Sequence, residues 1–176
     1  MVAKWNAFNS HSRLFDCGDG ANDNNIKVHN KGTTGQLEWS VIRGSSNKYV
    51  YSPGTSDLTV GVLYHIAVTV DGASMISYIN GVQKGVTTDG HEPIVKTRSN
   101  CYIGKSNWAA DSYLSGEVSS LKIYSGAMTE IEVAAAYVAT LPLCQKEGTA
   151  STCAVRSTNP ACTDSVTRCC SGSATT

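Results

Sequence analysis

The sequence has few charged residues and no long apolar run, and each absence excludes a class of protein. Charged residues make up 16% of the 176 residues, and the formal net charge is zero. Such a chain lacks the basic surface that attracts nucleic acid or anionic lipid, so we expect neither as a partner. No apolar run approaches the roughly 20 residues that a membrane-spanning helix needs, so we expect no membrane insertion.

A secretory signal is also absent from residues 1–20, where Lys4, Asn6, Asn9 and Arg13 interrupt any apolar core. The chain nevertheless contains seven cysteines, a density typical of proteins from an oxidising compartment. These two observations agree if Met1 is not the first residue of the translated protein. We therefore expect an extracellular protein, secreted or at the cell surface, that is part of a larger precursor.

The clearest structural signal is the stretch 63–83. Ile66, Val68 and Val70 occupy alternate positions, as in a strand with one buried face. A turn-forming run at 71–74 separates this strand from a second extended run at 75–79. Asn80-Gly81 then favours a type I′ turn, because both residues tolerate positive φ. The stretch predicts an antiparallel meander of three strands.

Strands are also predicted on both sides of this meander, and one helix follows it. The strand patterns lie at 1–5, 13–17, 26–29, 36–43 and 49–51. The helix is predicted over 129–137, where Thr129 can act as the N-cap and Glu132 completes a capping box. Nine residues are too few for a stable isolated helix, so we expect it to dock on the strands.

Four segments resemble the laminin G-like domains, which belong to the concanavalin A-like lectin/glucanase jelly rolls. The meander resembles the signature hairpin of these domains, with Val70-Asp71-Gly72 at one turn and Asn80-Gly81 at the other. The run 101–108 resembles the family's "YIG-basic-S" strand, 114–118 with 121–124 resembles its "F-x-G-x-I…v-r-I-Y" strand, and 129–132 resembles its closing helix. The resemblance covers roughly residues 2–137. It implies an all-β fold, a concanavalin A-like antiparallel β-sandwich with one short C-terminal helix.

The resemblance also implies a domain boundary and a missing strand. Family members usually have another strand before the one that begins at Val2, so we expect a sandwich over residues 1–142 that lacks its first strand. Residues 143–176 form a second segment, rich in Ser, Thr and Cys and almost devoid of large apolar residues. Such a segment needs cross-links to fold. Its cysteines suit a disulfide-stapled extension better than a zinc site, because their spacing lacks close ligand pairs; they are Cys144, Cys153, Cys162, Cys169 and Cys170.

Two further cysteines lie within the predicted sandwich. The run 13–18 resembles the family's "R-I-F-D-F-G" strand, and Cys17 replaces the second aromatic residue of that motif. Cys101 opens a later strand. Either thiol could in principle be a nucleophile, but a cysteine-rich extracellular chain favours oxidation. We expect both to form disulfides, with a bridge between them as one pairing.

The run 19–25 is the most polar short stretch of the chain. Asp19, Asn22 and Asp23 offer the oxygen ligands that Ca²⁺ prefers, and some family members bind Ca²⁺ at rim loops. The spacing does not fit an EF-hand, which ends in a glutamate. A solvated hairpin loop is the alternative, since Asn and Asp are common in turns for conformational reasons.

Tryptophan and acidic residues bear on binding and catalysis. Trp5 and Trp39 are expected in the core, whereas Trp108 lies with Asn107 and Asp111 in a polar loop and could stack on a sugar. Glycoside hydrolases on this fold place paired carboxylates along one strand. No E-x-D-x-x-E pattern occurs in the sequence, so we expect no enzyme.

These observations predict a non-catalytic extracellular recognition or adhesion module that binds glycan or protein, with Ca²⁺ as a candidate cofactor. A structural subunit of an extracellular filament or matrix is the alternative. It would self-associate through sandwich edges and the C-terminal extension, since an unpaired edge strand invites pairing with another copy.

Overall fold

The computed structural model describes residues 1–44 and 46–141. Ten strands and one helix follow one another along this part of the chain. They are β1 (Val2–Ala7), β2 (Arg13–Gly18), β3 (Ile26–Asn30), β4 (Leu37–Arg43), β5 (Ser46–Tyr51), β6 (Leu63–Asp71), β7 (Ser74–Ile79), β8 (Val82–Thr87), β9 (Asn100–Ile103), β10 (Ser115–Ser120) and α1 (Glu130–Val138).

The strands form two five-stranded antiparallel sheets, which confirms the predicted sandwich. The first sheet has the order β10-β1-β6-β7-β8, and the second has the order β5-β4-β3-β2-β9. Apolar side chains at alternate strand positions fill the space between the sheets. Trp5 and Ile66 of the first sheet and Trp39 and Val41 of the second are at most 2% exposed, so both tryptophans lie in the core as predicted.

The predicted meander is β6-β7-β8. Its first turn pairs Asp71 with Ser74, and its second pairs Ile79 with Val82. Asn80 and Gly81 have φ angles of 51° and 78°, which is the conformation that a type I′ turn requires. Sequence reasoning succeeds here because the turn residues and the alternation specify the same register.

The helix begins one residue later than predicted and docks on the outer face of the first sheet. Thr129 Oγ1 accepts a bond from the Glu132 backbone N–H, and Glu132 Oε2 accepts one from the Thr129 N–H at 2.7 Å. This is the predicted capping box. Val133 is fully buried, and the Tyr137 ring lies 6.0 Å from that of His65.

The strand expected around residues 121–124 does not form. Strand β10 ends at Ser120, whose partner is Val2 at the start of β1. Residues 121–124 therefore run past the last paired residue of β1 and have no ladder partner among the described strands. Strand β1 itself is paired on both sides, so β10 is the edge on this side of the first sheet among the described strands.

Within the described residues, no helix is long and apolar enough to cross a membrane. The sandwich and α1 belong to one compact unit, Met1–Val138. Cys144, Cys153, Cys162, Cys169 and Cys170 lie outside the described residues, so the disulfide-stapled extension over 143–176 stays a prediction.

Candidate functional site on the outer face of the second sheet

The outward side of the second sheet carries polar and aromatic residues at neighbouring positions. Strand register places Asp16, Lys27, Ser40 and Tyr49 in one row across β2, β3, β4 and β5. The next row contains Arg13, His29, Glu38 and Tyr51. We call this surface the polar face; its members are Arg13, Asp16, Lys27, His29, Glu38, Ser40, Tyr49 and Tyr51.

The polar face is unusual because its central residues are buried although they point away from the core. Arg13, Asp16, Lys27, His29, Glu38 and Ser40 are all 7% exposed or less. Burying charged groups is unfavourable unless they are paired or hydrogen-bonded. These groups must therefore have hydrogen-bond or ion-pair partners, and other residues must cover them from solvent.

Asp16 is the centre of the hydrogen-bond network. Its carboxylate accepts bonds from Arg13 Nε at 3.3 Å, from Asn25 Nδ2 at 2.9 Å, and from both the backbone N and Nδ2 of Asn107 at 3.1 and 2.9 Å. Four donors satisfy the lone pairs of one buried carboxylate. Asp16 thus fixes the loop that contains Asn107 to the sheet.

Arg13 and Asp111 form the second attachment of this loop. Arg13 Nη2 donates to Asp111 Oδ2 at 2.6 Å, and Ser106 Oγ donates to the same oxygen at 2.8 Å. Asn107 and Asp111, predicted as ligand contacts, therefore hold the loop in place in this structure. Their role in ligand contact stays a prediction.

Trp108 lies between these two attachments and faces the polar face. Its ring centroid is 4.8 Å from Lys27 Nζ and 5.4 Å from the Arg13 guanidinium carbon. Both distances fit cation–π contacts. The ring is partly exposed, unlike the two core tryptophans, so it remains a candidate for stacking on a ligand.

Tyr49 and Tyr51 form an aromatic platform opposite Trp108. Their rings are nearly parallel, with an interplanar angle of 10° and centroids 5.9 Å apart. They are 38% and 37% exposed. Lys27 Nζ lies 5.5 Å from the Tyr49 centroid, so its ammonium is flanked by Tyr49 and Trp108.

Charge and burial set the protonation of these groups. Burial, followed by the nearby Glu38 carboxylate, raises the pKa of Tyr51 to about 12 and raises that of Tyr49. Both phenols therefore keep their protons at neutral pH. Burial opposes ionisation of Glu38, but the adjacent His29, whose Nε2 is 3.2 Å from Glu38 Oε1, lowers the pKa of this carboxyl below its usual value.

The predicted calcium loop has a different environment. The Asp19 carboxylate forms an ion pair with Lys96 and accepts bonds from the backbone N and Oγ of Ser99 at 2.9 and 3.1 Å. The bonds from Lys96 and Ser99 lower the pKa of Asp19 to about 2. Asp23 Oδ1 accepts from Asn24 Nδ2.

Asn22 is exposed in the same loop, with φ of 57°. Among the described residues, no group of three or more His, Cys, Asp or Glu could hold a metal ion. Calcium binding by Asp19, Asn22 and Asp23 stays a prediction.

The structure contains the disulfide Cys17–Cys101. These residues face each other across β2 and the edge strand β9, and the bridge spans 84 positions of sequence. The expectation that both are oxidised is confirmed, with the pairing between them. The bridge fastens β9, which leads directly into the Trp108 loop.

The fold and this face define a class of protein, the antiparallel jelly-roll sandwiches with a polar sheet face. A laminin G family model, described as the concanavalin A-like lectin/glucanases superfamily, matches residues 3–134. This chain therefore belongs to the concanavalin A-like lectin/glucanase superfamily, as its motifs predicted. A comparison with curated proteins gives no match.

Two solved structures are similar to the chain. One is a native heptameric SAP-like pentraxin from Limulus polyphemus, with 23% identity and a TM-score of 0.52; the match covers 76% of this chain and 66% of the pentraxin. The other is an S-layer domain-containing protein (residues 221–444) from Clostridium thermocellum ATCC 27405, with 25% identity, a TM-score of 0.40, and coverage of 73% and 63%. The chain spans less than two thirds of each structure.

Sequence reasoning identified Trp108 but missed the residues that face it. Lys27 and His29 alternate with core residues of β3, and Glu38 and Ser40 alternate with core residues of β4. This alternation was a usable signal for one polar sheet face. Only the strand register, which the sequence did not supply, brings them together with Tyr49 and Tyr51.

Proposed function

We propose that the protein is an extracellular recognition module that binds glycan on the polar face. One observation carries the proposal: Trp108 and Tyr49 flank the Lys27 ammonium, and Tyr51 stacks on Tyr49, on an otherwise polar sheet surface. Aromatic rings offer flat apolar surface to the C–H faces of a sugar, and polar groups between them can bond its hydroxyls. The superfamily membership and the disulfide support the extracellular setting.

The attachment of the Trp108 loop supports a binding role for its ring. Asp16 and Arg13 hold the loop with short, charge-assisted bonds, so the position of Trp108 is set before any ligand arrives. A pre-organised ring loses little conformational freedom on binding, which favours affinity. We expect no catalysis, because the buried carboxylates of this face, Asp16 and Glu38, are engaged by Arg13 and His29.

A glycan microarray with neutral and acidic oligosaccharides tests this proposal. The intact protein should bind a subset of the glycans, and Trp108→Ala should weaken that binding at least about tenfold, or about 1.4 kcal/mol. Tyr113→Ala is the matched control, because Tyr113 is also a loop aromatic but is 68% exposed and lies outside the polar face. Full binding by Trp108→Ala, or no glycan bound at all, would refute the proposal.

Self-assembly through a sheet edge is a second candidate function. Residues next to the open edge strand β10 favour it, since Ile123 and Tyr124 are 76% and 55% exposed. Unpaired strand edges beside apolar side chains are templates for pairing with another chain. The native mass measured over a range of concentrations tests it: growth with concentration supports assembly, and a constant monomer mass excludes it.

A further inference from the structure

Strand β9 is held to the fold by its pairing with β2 and by the Cys17–Cys101 bridge. None of its four residues is buried, and none belongs to the core cluster of the sandwich. Among the described strands it pairs only with β2. A short strand with one neighbour and no buried side chain has low local stability. The bridge therefore contributes much of what keeps β9 in place.

The bridge lies near the protein surface. Cys101 is exposed and Cys17 is partly buried, and Cys101 belongs to the edge strand of the second sheet. Exposed disulfides are accessible to attack by thiols and are more often labile or regulatory than protected ones. The Cys17–Cys101 bridge thus has the access that a reductant needs.

The position of β9 also affects the loop that contains Trp108. The backbone oxygen of Asn100, in β9, accepts a bond from Asn107 Nδ2 at 3.1 Å. The same Nδ2 donates to Asp16 Oδ1 at 2.9 Å, so the Asn107 side chain links β9, the loop and the sheet. Displacement of β9 removes one of these bonds directly beside Trp108.

We propose that the Cys17–Cys101 disulfide is a redox-sensitive latch: its reduction releases β9 and loosens the Trp108 loop, while the two-sheet core stays folded. The core persists because no residue of β9 belongs to it. The effect of the latch on glycan binding rests on the proposed function, because Trp108 is the aromatic residue of the loop. Opening of the latch does not depend on any ligand and can be measured without one.

A dithiol reductant opens the latch by thiol–disulfide exchange. One thiolate of the reductant attacks the sulfur of Cys101, the more exposed residue, the S–S bond breaks, and Cys17 leaves as a thiolate that takes up a proton. The second thiolate of the reductant then attacks its own sulfur in the mixed disulfide. This step releases Cys101, which is also protonated, and leaves the reductant as a disulfide. Two electrons pass from the dithiol to the bridge.

Reduction of the native protein tests access to the bridge. The protein is treated with dithiothreitol at neutral pH, and free thiols are blocked with iodoacetamide at intervals. Peptide mapping then follows Cys17 and Cys101 separately from the cysteines of residues 143–176. We expect a half-time within about tenfold of that measured in denaturant, because an exposed disulfide can be attacked without unfolding.

The double variant Cys17→Ser/Cys101→Ser represents the open latch. In hydrogen exchange followed by mass spectrometry, we expect the amides of residues 100–108 to exchange at least about tenfold faster than in the natural protein, while those of β6 and β7 stay protected. Ile103→Ser is the matched control, because Ile103 also lies on β9 and is 57% exposed but the bridge stays intact. It should change this exchange by less than about threefold.

Three results would overturn the latch. Reduction that proceeds only in denaturant shows that the bridge is protected. Fast exchange throughout β6 and β7 in the double variant shows that the bridge holds the whole sandwich rather than β9. Unchanged exchange at 100–108 in the double variant, or the same increase in Ile103→Ser, shows that the bridge does not determine the position of β9. None of these results decides whether the polar face binds glycan, which the microarray tests separately.

Discussion

The outer faces of the two sheets are both covered, but by different means. On the first sheet, α1 covers the surface with apolar contacts: Tyr78 is 2% exposed and Val133 is fully buried. On the second sheet, the Trp108 loop covers charged residues and is fastened by hydrogen bonds to Asp16 and Arg13.

The difference indicates which face is available for a ligand. The helix contact is close, since a Cβ added at Gly81 would lie 3.2 Å from Ala134 Cα and from Tyr137 Cβ. The polar face instead retains the partly exposed rings of Trp108, Tyr49 and Tyr51. Apolar covering stabilises the fold, whereas polar covering leaves directional groups that can recognise a ligand.

The largest expected effect comes from removing the centre of the polar network. Asp16→Ala leaves Arg13 with one carboxylate partner and deprives Asn25 and Asn107 of their acceptor. Because Arg13 loses one of its two buried ion pairs and the buried donors of Asn25 and Asn107 lose an acceptor, we expect the free energy of unfolding to fall by about 3–5 kcal/mol. Denaturant unfolding measures it.

Asp89→Ala is the matched control for this variant. Asp89 also pairs with a cation, Lys48, but its side chain is 90% exposed, so we expect no measurable loss of stability. A loss of under about 1 kcal/mol in Asp16→Ala, the range of an ordinary exposed pair, would contradict the role of Asp16 in fastening the loop.

A smaller effect is expected where the helix meets the first sheet. Gly81→Ala introduces a Cβ at φ of 78°, against both the Ala134 backbone and Tyr137. Gly72→Ala is the control, because Gly72 has φ of 56° and nothing lies within 4 Å of the added Cβ.

In both variants the left-handed backbone strain of the new alanine should lower the free energy of unfolding by roughly 1 kcal/mol. In Gly81→Ala the displaced helix should lower it by about 1–2 kcal/mol more. Thermal or denaturant unfolding of the two variants side by side measures this difference. Equal losses would show that the helix contact contributes little.

The smallest effect concerns acid. Burial lowers the pKa of His65 from 6.5 to about 4. The unfolded chain therefore binds a proton below pH 6.5 that the folded protein does not, so stability falls as the pH drops from about 6.5 to about 4.

His65→Gln should flatten the stability curve over this window by about 1 kcal/mol, after allowance for solvent screening of the partly exposed ring. Unfolding at a series of pH values measures the curve. His29, whose pKa burial also lowers, accounts for part of the slope that remains in the variant. A slope identical to that of the natural protein would show that His65 titrates normally in the fold.

Much of the sandwich could be predicted because local signals specify it. The Asn80-Gly81 turn, the alternation in β6 and the Thr129 capping box each act within a few residues, and the structure confirms all three. The prediction of a strand at 121–124 was wrong, because a strand there needs a partner strand, and the local sequence does not show whether one is present.

The polar face could be predicted only in part. Trp108 stood out as an aromatic residue in a polar loop. Nothing in the local sequence showed that Asn107 and Asp111 would be hydrogen-bonded to Asp16 and Arg13, which lie more than 90 positions away. Lys27 was missed for the same reason, since a lysine alternating with apolar residues normally faces solvent. Its burial results from the loop that folds over it.

The most direct test of the central claim maps the binding surface in solution. We expect the backbone amide resonances of the isotope-labelled protein, titrated with a glycan that it binds, to shift most at Lys27, Ser40, Tyr49, Tyr51 and Trp108. Shifts concentrated on the first sheet, or confined to the loop at 19–25, would contradict the assignment of ligand binding to the polar face.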